Sequence, residues 1–217
     1  MLSAVSRVQN NASYVKRLVR RALKTSTFLI VPSMTLFAVA AEPIVGVLGR
    51  NMVVLCSILR MYCFIYALLP IHTTNLQALN GMGRSDLFLE LELVKKAYGI
   101  CFILFAAFVL NDIYLMVAMY MITGIISTFV NAYPNKSVIG YSYSEQLRDI
   151  APAFVISAIA GGFALFCGSF TALPALQILA EIAAMAIAYF GIAAIFKLEA
   201  FEYLINTARD FLGAKRR

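Results

Sequence analysis

A chain of 217 residues with 62% hydrophobic residues, only 13% charged ones and a mean hydropathy of +0.83 lacks the polar surface needed to cover a water-soluble core. Its net charge of +7 would suit nucleic acid or anionic lipid, but the basic residues sit in separate clusters between apolar runs and form no single stripe, which excludes a nucleic-acid partner.

Residues 1–25 read as a basic amphipathic segment. Leu2, Val5, Val8, Val15, Leu18, Val19 and Ala22 recur at helical spacing, with Arg17, Arg20, Arg21 and Lys24 on other faces. That is the pattern of a helix lying on anionic membrane lipids. No secretory signal peptide is expected, since the first strong apolar run begins only near Ser26. Residues 26–197 hold six apolar runs, at 27–48, 52–71, 89–110, 113–132, 150–168 and 173–196. Each is close to the roughly 20 residues that cross a bilayer core. Pro32 and Pro70 lie within or at the end of a span, where neighbouring helices can satisfy freed carbonyls. Ala153, Ser157 and Gly161, facing Ala180, Ala184 and Ala188, predict a tight hairpin of the last two spans. Residues 198–217 form an amphipathic basic tail, with Phe201, Leu204, Ile205, Ala208, Phe211 and Leu212 on one face and Lys215, Arg216 and Arg217 at the end. The expected fold is all-α, an integral membrane helical bundle of about six transmembrane helices.

The distribution of Lys and Arg orients it. The N-terminal segment, the second and fourth connections and the tail hold 16 of the 18 basic residues; the alternate connections hold only Arg50, and Arg60 lies inside a span. The positive-inside rule then predicts both termini, and so the segments 1–25 and 198–217, in the cytoplasm.

Arg60 is the sharpest candidate. It lies roughly 12 Å into its span, where a guanidinium needs water, a partner or an anion. It reads either as a cationic contact for a phosphate group or as a side chain snorkelling to the outer headgroups. Beyond it, Thr74, Asn75 and Gln77 continue a polar stripe that either lines a sugar-accommodating cavity or simply leaves the membrane. The sole histidine, His72, reads as a bystander. Glu181, with Gln177 one turn before it, is a possible ion or proton site, or a packing residue. Glu92 and Lys96 suggest an i,i+4 interfacial pair, with Lys95 beside them. Cys56, Cys63, Cys101 and Cys167 fall in apolar runs without C-x-x-C spacing, so no metal and no cofactor is expected. No catalytic constellation is present in the sequence, and no enzyme is expected.

Several segments carry a resemblance. Leu2-Ser3-Ala4-Val5-Ser6-Arg7-Val8-Gln9, Phe28-Leu29-Ile30-Val31-Pro32 and Gly81-Met82-Gly83-Arg84-Ser85-Asp86 come in that order. Asn131-Ala132-Tyr133-Pro134-Asn135-Lys136 and the stretch from Gly140 to Pro152 follow. Together they resemble the polysaccharide and O-antigen (lipopolysaccharide biosynthesis) flippases of the multidrug/oligosaccharidyl-lipid/polysaccharide exporter superfamily. The resemblance implies part of the C-terminal lobe of a MATE-like flippase in the bacterial plasma (inner) membrane, turning over a lipid-linked (polyprenyl diphosphate) oligosaccharide. It also implies a missing N-terminal lobe or partner chain, because such proteins have 12 to 14 spans and this chain would supply only the last six. A cation-coupled multidrug antiporter fragment and a non-transporting membrane partner subunit are the alternatives.

Overall fold

The computed structural model describes residues 5, 11–49, 53–171 and 173–214, and among them every regular element is helical. Helix α1 (Ala12–Val39) starts at Asn11, whose side chain accepts from the Tyr14 amide. It continues through residue 25 without a break, so the basic segment and the first span are one rod. Val15, Val19 and Leu23, one turn apart, are fully buried in a cluster with Ile71, Ala78 and Ile150. The apolar face expected to lie on lipid is covered by protein instead. Pro32 has no N–H to give the Phe28 carbonyl four residues back. Tyr189 supplies the missing donor, its Oη giving a 2.8 Å hydrogen bond to Phe28 O.

A short helix, α2 (Ala41–Leu48), follows α1. Helices α3 (Val53–Ala67) and α4 (Leu69–Gly81) meet at a bend at Leu68, with Pro70 in the first turn of α4. The second apolar run therefore extends to Gly81. Gly83, at φ +72°, makes the turn into α5 (Ser85–Phe105), which ends in a π-helical turn, Ala106–Leu110. Asp112 caps α6 (Ile113–Val138) by accepting from the amides of Tyr114 and Leu115. Ser142 and Glu145 form a reciprocal capping box at the start of α7 (Tyr143–Gly168). Helices α8 (Pro174–Ile195) and α9 (Glu199–Ala214) complete the described chain.

Among the described residues, five helical segments are long and apolar enough to cross a membrane: 12–39, 54–81, 113–138, 143–168 and 174–195. The expected sixth lies on α5, whose Glu90, Glu92, Lys95 and Lys96 interrupt its apolar stretch. Its 21 residues and the 5 of the π turn extend roughly 39 Å, of which the uncharged part beyond Lys96 covers roughly 21 Å.

Contacts fix the direction of each rod. At one end, Lys16 meets Glu145, Arg20 meets Asp149, and Lys24 meets Glu199. Asn75, Asn135 and Gln146 join at that same end. At the other, Arg60 meets Glu42, and Gly168 abuts Glu181. The path thus runs up and down in alternation, with the basic ends gathered together. Helix α1 is central, touching α3 and α4 on one side and α7 and α8 on the other; α6 packs on α3 and α4, and α5 on α6.

The α7–α8 hairpin forms, with the expected Ala184 and Ala188 of α8 in its seam, but the α7 side of the seam lies one position off the expected stripe. Ile156, Ala160 and Ala164 of α7 share a core with Ala184, Met185 and Tyr189 of α8. Gly161 faces α1: a Cβ there would sit 2.7 Å from Thr35 Cγ2. The small stripe therefore brings α7 close to α1.

Candidate functional site

The sequence candidates separate into three places. Arg60 Nη2 lies 2.8 Å from Glu42 Oε1, and its Nε donates to Ala38 O at 3.2 Å. Ala38 offers one of the carbonyls near the C-terminus of α1, where a cation complements the helix dipole. Arg60 thus ties the end of α1 to α3 and has a counter-ion, with its side chain 43% exposed and that of Glu42 70%. The sequence carried a signal for this partner, since Glu42 is the only carboxylate before Asp86.

Asn75 is fully buried, roughly 22 Å along the helix from Arg60. Its Nδ2 donates to Ile71 O at 2.8 Å and Gln146 Oε1 at 2.7 Å. Its Oδ1 accepts from Gln146 Nε2 and Asn135 Nδ2, both at 2.9 Å. This amide cluster cross-links α4, α6 and α7. Thr74 is buried beside it, whereas Gln77 is exposed on another face. His72 is joined to the same polar region, accepting at Nδ1 from Asn131 Nδ2 at 3.1 Å. The structure brings Thr74, Asn75 and His72 together and leaves Arg60 and Gln77 apart from them.

Glu181 is fully buried near the end of α8 that faces Gly168. Oε1 accepts from Gln177 Nε2 at 2.9 Å, and Oε2 has no hydrogen-bond partner among the described residues. A Cβ on residue 168 would come within 2.5 Å of Oε1, so the glycine makes room for the carboxylate. A buried oxygen without a donor is where a proton or cation would sit.

A cleft of about 460 Å³ opens between α3–α4, α5 and α6. His72, Glu92, Lys95, Tyr98, Tyr120 and Ser127 line it, with Lys96 at its edge. The Lys95 side chain is only 15% exposed and pairs with Glu92, three residues away. Lys95, not the expected Lys96, is therefore the partner of Glu92, which leaves Lys96 exposed. Ser127 Oγ donates to Thr123 O, so it accepts from Tyr98 Oη at 2.6 Å. Two lysines against one carboxylate leave the wall with an excess positive charge, and tyrosine faces stand beside it. Such a surface can pair with phosphate oxygens and stack on sugar rings. From sequence alone these residues look like an interfacial pair, because nothing in their spacing shows that α5 folds against α6 with His72 lining the same cleft.

At the basic end, Asp149 is held by Arg20 at 2.6 Å, Lys24 at 3.4 Å and Tyr141 Oη at 2.7 Å, with its side chain 4% exposed. Burial, reinforced by its bond to Asp149, pushes the Tyr141 phenol up and keeps it a donor.

Residues 1–52, which contain α1 and α2, match the family described as Polysaccharide biosynthesis protein. The chain is similar there to polysaccharide biosynthesis proteins. No curated protein and no solved structure matches it. The fold is that of a multi-pass helical membrane bundle.

Proposed function

We propose that this chain is part of a flippase, a non-enzymatic transporter that moves a polyprenyl-diphosphate-linked oligosaccharide for cell-surface polysaccharide, lipopolysaccharide or O-antigen synthesis. It works in a bacterial plasma membrane together with a complementary helical lobe, and its basic ends, including both termini, are cytoplasmic. The observation that carries this reading is the cationic, tyrosine-walled cleft between α4, α5 and α6, set within a bundle of membrane-length helices. The family match over residues 1–52 supports the saccharide as cargo.

In this reading Lys95 and Lys96 meet the diphosphate as Glu92 gives way, and Tyr98 and Tyr120 take the sugars. The polyprenyl tail stays in lipid, which spares the protein from solvating it. Arg60 serves as a second anion contact at the opposite end, released from Glu42 when the cavity opens to that side. Alternating access of this kind fits packed helical repeats that rock about a central site.

The test reconstitutes the chain with a complementary lobe and follows translocation of a lipid-linked oligosaccharide. Replacing both Lys95 and Lys96 by Gln is expected to lower the rate by about tenfold or more, the scale of losing two charge-assisted contacts. Unchanged transport would remove the cleft from the substrate path. Glu181, with its unpartnered oxygen, favours a second reading, a cation-coupled antiporter. In that case Glu181→Gln abolishes ion-driven transport, and the lysine variant leaves it intact.

A further inference from the structure

The N-terminal half of α1 and the tail helix α9 enclose a second pocket, a groove of about 480 Å³, at the basic end of the bundle. Arg17, Arg20, Arg21 and Lys24 line one wall, and Glu199, Glu202 and Tyr203 stand on the other, four cations against two carboxylates. The four cations are not equivalent. Arg20 is committed to Asp149 at 2.6 Å, and Lys24 to Glu199 at 2.7 Å. The Lys24 ammonium holds the Glu199 carboxyl below its usual range, so this pair stays ionised near neutral pH. Arg17 and Arg21 have no carboxylate partner among the described residues. Each lies instead over an aromatic ring, Arg17 at 5.6 Å from the Tyr14 centroid and Arg21 at 5.3 Å from that of Tyr203.

A guanidinium resting near an aromatic ring without a carboxylate keeps N–H groups available, and a guanidinium can grip phosphate with two parallel hydrogen bonds. Residues 17 and 21 are one helical turn apart, so the two forks point to the same side of α1. Thr25, one turn further along that side, also lines the groove; its hydroxyl is buried and lacks a hydrogen-bond partner among the described residues. Two cations and an unused hydroxyl on one helical stripe, flanked by the tail helix, outweigh Glu202 and leave the groove net positive, suited to an anion.

We propose that the α1–α9 groove is a discrete binding site for a phosphate group, separate from the transport cleft, and that its occupant bridges the first and last described helices. The phosphate belongs to an anionic lipid headgroup or to free phosphate; both present the same oxygens. This goes beyond the transport reading and does not depend on it, since it uses no residue of the cleft.

The experiment uses the full chain in nanodiscs and in lipid-free detergent, with bound lipid read by native mass spectrometry. Phosphatidylglycerol, phosphatidylcholine and inorganic phosphate are the probes. The unaltered chain is expected to retain phosphatidylglycerol about tenfold or more over phosphatidylcholine, as two surface cations would give. The double variant Arg17→Gln/Arg21→Gln loses that preference, and Arg17→Lys/Arg21→Lys, which keeps charge without the fork, falls between. A control, Lys136→Gln/Arg148→Gln, removes equal charge outside the groove and keeps the preference. Should inorganic phosphate also bind and displace the lipid, the pocket takes the group from either source; should it fail to, the headgroup is the ligand. Equal loss in the control, or full retention in both Arg17/Arg21 variants, would mean diffuse surface attraction and overturn the proposal.

Discussion

Both ends of the Asn75 amide are engaged, with Gln146, Asn135 and the Ile71 carbonyl, and nothing of the side chain is left to offer a substrate. Removing it leaves the buried Gln146 Oε1 without its donor and the amide nitrogens of Gln146 and Asn135 with only longer bonds of 3.3–3.4 Å to backbone carbonyls. Asn75→Ala is therefore expected to lower unfolding stability in detergent by about 1–3 kcal/mol. Gln77→Ala, on an exposed face, should stay within about 0.5 kcal/mol. A stability-neutral Asn75→Ala would return the residue to the list of cavity candidates. From sequence, the two residues are members of one polar stripe; only the packing of α6 and α7 tells them apart. The same holds for Arg60 and Lys95. Depth along a span was legible for the first, but the counter-ion Glu42 and the cleft around the second depend on which helices meet.

The helix of residues 12–39 shows how a defect in one element is repaired by another. Pro32 frees the Phe28 carbonyl, and Tyr189 of α8 supplies the proton. Tyr189→Phe leaves that carbonyl without a donor and should cost about 1–2 kcal/mol. In a Pro32→Ala background the backbone N–H returns, and the cost of Tyr189→Phe should shrink by at least about 0.5 kcal/mol, a coupling read from a double-mutant cycle. Equal costs in both backgrounds would mean the hydroxyl serves another partner. The sequence indicated that Pro32 needs help from a neighbour; it could not name α8, 157 positions away. It likewise found the α7–α8 hairpin through its small residues. On α8 the expected Ala184 and Ala188 do face the hairpin; on α7 the seam is one position off, because Ala160 and Ala164 are as small as Gly161 and periodicity alone does not say which face meets which helix. The basic first half of α1 misled for a related reason, since an apolar face repeating every turn looks the same whether lipid or α7 covers it.

At the scale of the molecule, hydropathy and charge placement carried most of the fold: the helical runs, their alternation and the gathering of basic residues at one end. The expected sixth crossing is the element where composition and geometry diverge. Helix α5 carries four charges in its first half, yet its pairing of Tyr98 with Ser127 lays it along α6 with its N-terminus at the basic end. Of the charges that weaken its apolar signal, Glu92, Lys95 and Lys96 line the cleft, so crossing and function compete for those residues. Cysteine accessibility tests this account most directly. In a background lacking the native cysteines, single cysteines are placed at Ser85, Ser137 and Asn206, and at Val47, Asp112 and Thr171, and an impermeant maleimide is applied to the outer face of sealed membranes. Labelling is expected only at 47, 112 and 171. Labelling at 85 and 112 from the same side would show that α5 does not cross, and would take the cleft, and the transport reading built on it, out of the membrane.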